Sequence, residues 1–389
     1  MTTAAERRVG HPRPRPAQPS AGRAARGLPG VATVHGGFDA RGLRAVALGG
    51  GHGLAASLRA LRHVADDITA VVTVADDGGS SGRIRREMPV LPPGDLRMAL
   101  AALCEDSDWG AVWRDVVQHR FRTDGDLDGH ALGNLLIVTL WQILGDPIAG
   151  LDKVGELLGA RGRVLPMALQ PLDIEARVRS RDDSLRTIRG QAEVAKARGR
   201  VEDLRLIPAD APVPREVVAA IEDADWVIIG PGSWYTSVIP HLMLPDIADA
   251  IRRSPARVCV TMNLETAGAE TDGMGGAELL DALVEAADGL EFDALIADPT
   301  LQDDAFDLAA HAEAAGMRVL LRQVSVGGGL PIHDPVRLAA AYRDVFDGFF
   351  ADVAAPERLT ARPPGRSVTL DDPIDPEPTP GGEHHGTDR

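Results

Sequence analysis

AVALGGGHGLAASLRAL, residues 45–61, decides how this chain is read. Ala45-Val46-Ala47-Leu48 is an unbroken apolar run with no polar alternation, the pattern of a strand buried on both faces. Beyond it, Leu54, Leu58 and Leu61 recur at helical spacing. Between strand and helix stand Gly49, Gly50, Gly51, His52 and Gly53. A glycine-rich turn of this kind lets backbone N–H groups approach an anion at the helix N-terminus. Gly51-His52-Gly53 followed by Ala56 also fits the dinucleotide fingerprint, so a nicotinamide or flavin cofactor is one reading and a plain tight turn is another.

The alternation of strand and helix continues outward from this segment. Apolar runs at 68–74, 226–229, 258–262, 292–296 and 319–324 read as strands. Helical patterns fall at 54–63, 95–104, 109–121, 134–144, 214–222, 238–252, 276–287, 302–315 and 335–349. Strands separated by helices of this length predict βαβ units and an α/β fold with a doubly wound, mostly parallel, Rossmann-like sheet. Residues 163–208 carry shorter, half-polar runs at 164–169, 172–178 and 201–207, which predict a small antiparallel β-rich insertion between two halves of one sheet. The expected organisation is a single domain over 43–361, flanked by a disordered basic tail at 1–42 and a disordered proline-rich tail at 362–389.

With 389 residues and 44% hydrophobic content, the chain has material for a large core. The net charge of −16 argues against a nucleic-acid partner, which calls for a basic face. Eight arginines against Glu6 and Asp39 in the first 44 residues leave the remainder more acidic still. Lysine is confined to Lys153 and Lys196, which leaves little room for a P-loop or Schiff-base lysine. Cys104 and Cys259 are too few for a disulfide framework and read as buried thiols. No run is long enough to span a bilayer and no secretory h-region is present, so the expected location is the cytoplasm.

In a parallel sheet, chemistry gathers in the loops that follow the strands. Ala75-Asp76-Asp77-Gly78-Gly79-Ser80-Ser81-Gly82 offers adjacent acids for a divalent ion or ribose hydroxyls, then N–H and O–H donors for a phosphate. The same stretch matches the G-x-S-x-G nucleophile elbow, although no acid and histidine are placed by the sequence. Asp95, behind Pro92-Pro93-Gly94, reads as a helix N-cap or as an acid presented beside these loops. Asn134, after His130-Ala131-Leu132-Gly133, reads as a cap or a ligand contact, and His130 as structural. A second phosphate loop is suggested by Gly230-Pro231-Gly232-Ser233-Trp234-Tyr235-Thr236-Ser237, leading into a helix near Ser237. Asn263 to Asp272, including Glu270, ends another strand with groups suited to sugar or base edges. Two glycine loops at strand ends suit a diphosphate, and no nucleophile–base pair is evident.

The blocks VALGGGHGL, TVADDGGSSGRIRRE, LPPGDLR, GHALGNLL, GPGSWYTSVIPHL and ETDG at 270–273, in this order over roughly 44–350, resemble the gluconeogenesis factor family, itself related to 2-phospho-L-lactate transferase. The resemblance implies a Rossmann-like protein that binds UDP-sugars, notably UDP-N-acetylglucosamine. It further implies a regulator of cell shape and envelope precursor supply on gluconeogenic carbon, acting in part on glucosamine-6-phosphate synthase, with a homo-oligomer possible. Carried over by residue, Gly49–Gly53 approach the diphosphate and Asp76, Asp77, Gly79, Ser80 and Ser81 form an acidic and hydroxyl rim. Asn134, the segment from Gly230 and Gly232 through Ser233, Tyr235, Thr236 and Ser237, and the segment Asn263, Glu270 and Asp272 complete the pocket. No cofactor is required on this reading; Mg2+ accompanying the nucleotide is optional, with Asp76 and Asp77 its candidate ligands. The alternative is a metal-dependent phospholactate-type transferase with a nucleotide diphosphate donor.

Overall fold

A computed structural model of the chain describes residues 42–265, 269–301 and 304–350, and both expected tails lie outside these. Among the described residues there are ten strands: β1 Arg44–Gly49, β2 Asp67–Val72, β3 Arg163–Pro166, β4 Asp173–Arg179, β5 Leu185–Arg189, β6 Arg200–Ile207, β7 Trp226–Ile229, β8 Arg257–Thr261, β9 Ala294–Ala297 and β10 Arg318–Leu321. The helices of the first half are α1 Gly51–Leu61, α2 Gly79–Glu87, α3 Pro93–Leu103, α4 Asp108–Gln118, α5 Leu132–Leu144 and α6 Pro147–Leu158. Those of the second half are α7 Gln191–Val194, α8 Arg215–Asp223, α9 Ile239–Met243, α10 Pro245–Arg253, α11 Gly276–Ala286, α12 Ala305–Ala314 and α13 Pro335–Asp347.

Seven strands form one sheet in the order β10-β9-β8-β7-β1-β2-β3, with every neighbouring pair parallel. β1 lies at the point where the order reverses: the chain winds one way through β2 and β3, then returns to the other side through β7. Leu48 is in register with Val71 of β2 and Ile229 of β7, so the glycine loop after β1 and the loop after β7 emerge side by side. Val46, Ala47, Leu48, Val71, Val227, Ile228 and Ile229 are all buried, which explains the unalternating apolar runs: helices cover both faces of the sheet. A doubly wound α/β sheet is thereby established.

The insertion is smaller than the sequence suggests. Residues 163–166 are not part of it; β3 is the edge strand of the main sheet, paired with β2 from Thr69↔Arg163 to Val72↔Pro166. The separate sheet consists of β5-β4-β6, all antiparallel. Its inner face is apolar, with Ile174, Ala176, Val178, Val201, Leu204 and Leu206 buried. The helix expected over 238–252 is interrupted at Leu244, whose extended backbone precedes Pro245, because a residue before proline is forced out of the helical region. β10 ends at Leu321, and the next apolar residue, Val324, donates its N–H to Asp298 instead of extending the strand.

Candidate functional site

The two glycine loops meet at the reversal point, where open α/β sheets bind ligands. Gly51 has φ +57°, a left-handed conformation costly for other residues, and a Cβ placed on it would meet nothing within 4 Å. Its outer side is open space. Gly53 is different: a Cβ there would collide with the Pro231 carbonyl oxygen and stand 2.6 Å from Gly232 Cα. The first glycine faces outward and the second lets the loop after β7 lie against the first turn of α1. Gly50, the N-cap of α1, has no side chain to cap it, and of the first-turn N–H groups that of Gly51 is taken by the Asp95 carboxylate.

Asp95 belongs to the same corner. The sequence places it as an N-cap, but the N-cap of α3 is Pro92 and Asp95 lies within the first turn. Its carboxylate accepts the Gly51 N–H, and its Oδ2 stands 2.6 Å from where a Gly50 Cβ would be. Burial, reinforced by the charge of Asp76, pushes the Asp95 carboxyl up to about 7, against the pull of the Gly51 N–H and Arg97. Asp76 accepts the Gly78 N–H at 2.9 Å, and its other oxygen approaches Gly94, the residue before Asp95. The acidic pair of this site is therefore Asp76 with Asp95, not Asp76 with Asp77. Asp77 turns away and accepts the Ala192 N–H at 2.8 Å, fastening the start of α7 in the insertion.

Gly79, Ser80 and Ser81 do not form a loop; they are the first turn of α2. Ser81 Oγ accepts the Gly94 N–H at 3.0 Å and so ties α2 to the N-terminus of α3. Ser80 Oγ lies 2.9 Å from His130 Nδ1 and accepts the Asn134 Nδ2–H at 3.0 Å. All three residues are buried, and burial with repulsion from Arg83 lowers the His130 pKa, so its imidazole is neutral at pH 7. Asn134 is not a cap, since α5 begins at N-cap Ala131; its Oδ1 is buried without a partner. A serine–histidine hydrogen bond that is not evident from the sequence joins Ser80 and His130, 50 residues apart.

The second loop enters a π-helical turn at Trp234, ahead of the expected helix start near Ser237, so Tyr235, Thr236 and Ser237 lie within it and are buried. Ser233 Oγ donates to Glu270 at 2.6 Å, Thr236 Oγ1 donates to Ser233 Oγ at 2.6 Å, and the Tyr235 N–H also points at Glu270. Glu270 is thus the cap of this turn, and burial raises its pKa. Asn263 Oδ1 accepts the Gly232 N–H and its Nδ2 donates to the Gly232 carbonyl, a reciprocal clamp on the loop. Ser237 Oγ lies 3.4 Å from the place of a Gly50 Cβ, back at the first glycine loop. Asp272 is not with these groups: it pairs with Arg181 at 2.9 Å and lines a separate cavity with Ser180, Arg186 and Arg198.

A cleft of about 550 Å3 opens beside the junction, walled by His52, Gly53, Ala56 and Arg59 of α1, by Pro231 to Ser233, by Asn263 to Glu265, and by Pro331 to His333. Sequence reasoning did not single out 331–333, because their position depends on a bridge between Ser325 and His333 formed by a run of three glycines. Among the described residues no group of three or more His, Cys, Asp or Glu is arranged to hold a metal, and no helix is long and apolar enough to cross a membrane.

Comparison with known proteins bears on this arrangement. Residues 45–324 match the model of the family described as 2-phospho-L-lactate transferase CofD. A Mycobacterium tuberculosis protein classed with the gluconeogenesis factors is 45% identical over 350 residues, covering 88% of this chain and 98% of its own. The gluconeogenesis factor of Bacillus subtilis is 40% identical over 235 residues, covering 60% of this chain and 72% of its own. A crystal structure of a UPF0052-family protein from Bacillus halodurans superposes with a TM-score of 0.69 at 33% identity, covering 77% of this chain and 98% of that one.

Proposed function

The chain belongs to the 2-phospho-L-lactate transferase CofD family, and from that premise we propose that it is a UDP-sugar-binding regulator of the gluconeogenesis-factor type, with UDP-N-acetylglucosamine as its ligand. One observation supports this most: two glycine loops converge where the strand order reverses, with the first turn of α1 and the empty outer side of Gly51 facing one corner. That corner suits a diphosphate, which takes backbone N–H groups and a helix dipole in place of lysine. The adjoining cleft suits the uridine: Ala56, Leu264 and Ile332 give it apolar walls, and Asn263 to Glu265 give it backbone edges to read. On this reading the protein works in the cytoplasm, senses envelope precursor supply, influences cell shape and acts on glucosamine-6-phosphate synthase.

The Asp76–Asp95 pair favours a second reading, a metal-dependent transferase with a nucleotide diphosphate donor. Burial is the main cause of the raised Asp95 pKa and the Asp76 charge adds to it, so a divalent cation between the two carboxylates would relieve both. Mg2+ there would neutralise charge on a diphosphate leaving group, while Asp95 keeps the Gly51 amide oriented and Ser81 holds α2 against α3.

Titration calorimetry with UDP-N-acetylglucosamine, UDP, GDP and NADP, with and without Mg2+, separates these readings. The regulator reading expects UDP-N-acetylglucosamine to bind tightest and to be recovered intact by chromatography. Metal-dependent release of UMP or UDP favours the transferase, and a preference for NADP contradicts both.

A further inference from the structure

The Ser80–His130–Asn134 cluster, of which the family resemblance places Ser80 and Asn134 in the ligand pocket, adjoins that corner through Ser81 and Gly94. Ser80 is the serine of the sequence Gly78-Gly79-Ser80-Ser81-Gly82. A neutral imidazole nitrogen at 2.9 Å is placed to take its hydroxyl proton, and the Asn134 amide donates to the same oxygen, where negative charge would develop. The oxygen also sits in the first turn of a nine-residue helix whose N-cap, Gly78, supplies no side-chain cap, so the helix dipole favours an anion there. Gly79, exposed at φ +45° beside the buried Ser80, would meet nothing within 4 Å at its Cβ position. A purely structural polar knot between α2 and α5 needs none of this, and would not leave Asn134 Oδ1 buried without a partner.

We propose that Ser80 is a phosphoryl acceptor: it attacks the terminal phosphorus of a nucleoside diphosphate bound at the glycine loops. The Oγ–P bond forms, the bridging P–O bond breaks, the nucleoside monophosphate leaves with the electron pair, and the Oγ proton passes to His130 Nδ1. The product is a phosphoserine at a helix N-terminus, so occupancy of the site by the free diphosphate, as against the sugar-bearing ligand, is recorded covalently. This rests on the nucleotide-binding reading above.

The test incubates the full chain with UDP, with and without Mg2+, and follows intact mass, peptide mapping and released nucleotide, with UDP binding measured in parallel by calorimetry. The expected result is one phosphoryl group per chain, on Ser80, with an equal amount of UMP. Ser80→Ala abolishes the label, and His130→Gln and Asn134→Ala each slow it, the former by about 100-fold or more. UDP bound but no label, a label elsewhere, or a label that survives in folded Ser80→Ala overturns the proposal while leaving the binding reading standing. No UDP binding at all overturns both. His130→Gln keeps the test decisive if Ser80→Ala does not fold.

Discussion

Gly51→Val is expected to fold and to lose its nucleotide. The outer side of Gly51 is empty, so the Cβ of a valine there has no protein atom within 4 Å; the main cost is the left-handed backbone at φ +57°, roughly 1–2 kcal/mol or more for a β-branched residue. A domain of this size tolerates that loss. The side chain would occupy the place of the diphosphate, and UDP-N-acetylglucosamine should bind at least ~100-fold more weakly, about 3 kcal/mol. Gly53→Ala provides the contrast. Its Cβ would collide with backbone atoms of Pro231 and Gly232, which no rotamer relieves, so the cost falls on the fold, about 1–3 kcal/mol or more. Melting curves and calorimetry on both variants check the pair. A Gly51→Val protein that keeps its affinity would move the ligand elsewhere, and a Gly53→Ala protein as stable as the parent would deny that the two loops pack together.

Asp95→Asn should stabilise the free protein at pH 8 and, on the transferase reading, remove a response to Mg2+. The folded pKa of Asp95, about 7, lies above its unfolded value of 3.8, so the native state binds more protons between these limits. The contribution is favourable below about pH 4 and is eroded as pH rises toward 7; above that, the ionised group destabilises. Replacing it with a neutral amide, which still accepts the Gly51 N–H, recovers on the order of 1–2 kcal/mol at pH 8 after discounting for its partial exposure, and much less at pH 5. On the transferase reading the same change deletes half of a cation site. Thermal melts at pH 5 and pH 8, with and without Mg2+, check this, and Asp77→Asn is the control that should keep the Mg2+ response because Asp77 serves α7. Equal destabilisation of Asp95→Asn at both pH values would show that the carboxyl is not strained by burial and Asp76.

The parallel sheet was legible because β1, β2, β7 and β8 are buried on both faces, and burial of that kind writes continuous apolar runs into the sequence. What escaped depends on contacts distant in sequence. β3 reads as part of the insertion because five helices separate it from its partner β2. α2 reads as a loop because Gly79-Ser80-Ser81-Gly82 has poor intrinsic helix propensity; Ser81 on Gly94 and Arg85 on Asp173 hold it in place. The glycine loops were legible from composition, whereas the placing of Asn263 and Glu270 with the second loop came from the family resemblance. The distinction between Asp76, which faces Asp95, and Asp77, which faces Ala192, was not legible, since adjacent identical residues carry no sign of which way each points. Asp272 was misplaced for a related reason: Arg181, 91 residues earlier, draws it toward the insertion.

The central claim is that a UDP-sugar lies with its diphosphate at the meeting of the two glycine loops. A crystal structure of the chain grown with UDP-N-acetylglucosamine tests it most directly. The account predicts the diphosphate on the first turn of α1 beside Gly51 and Asp95, with the uridine in the cleft bounded by Asn263 to Glu265 and Pro331 to His333. A nucleotide seated instead in the arginine-lined cavity at Arg181, Arg186 and Arg198, or no bound nucleotide at millimolar ligand, would contradict it.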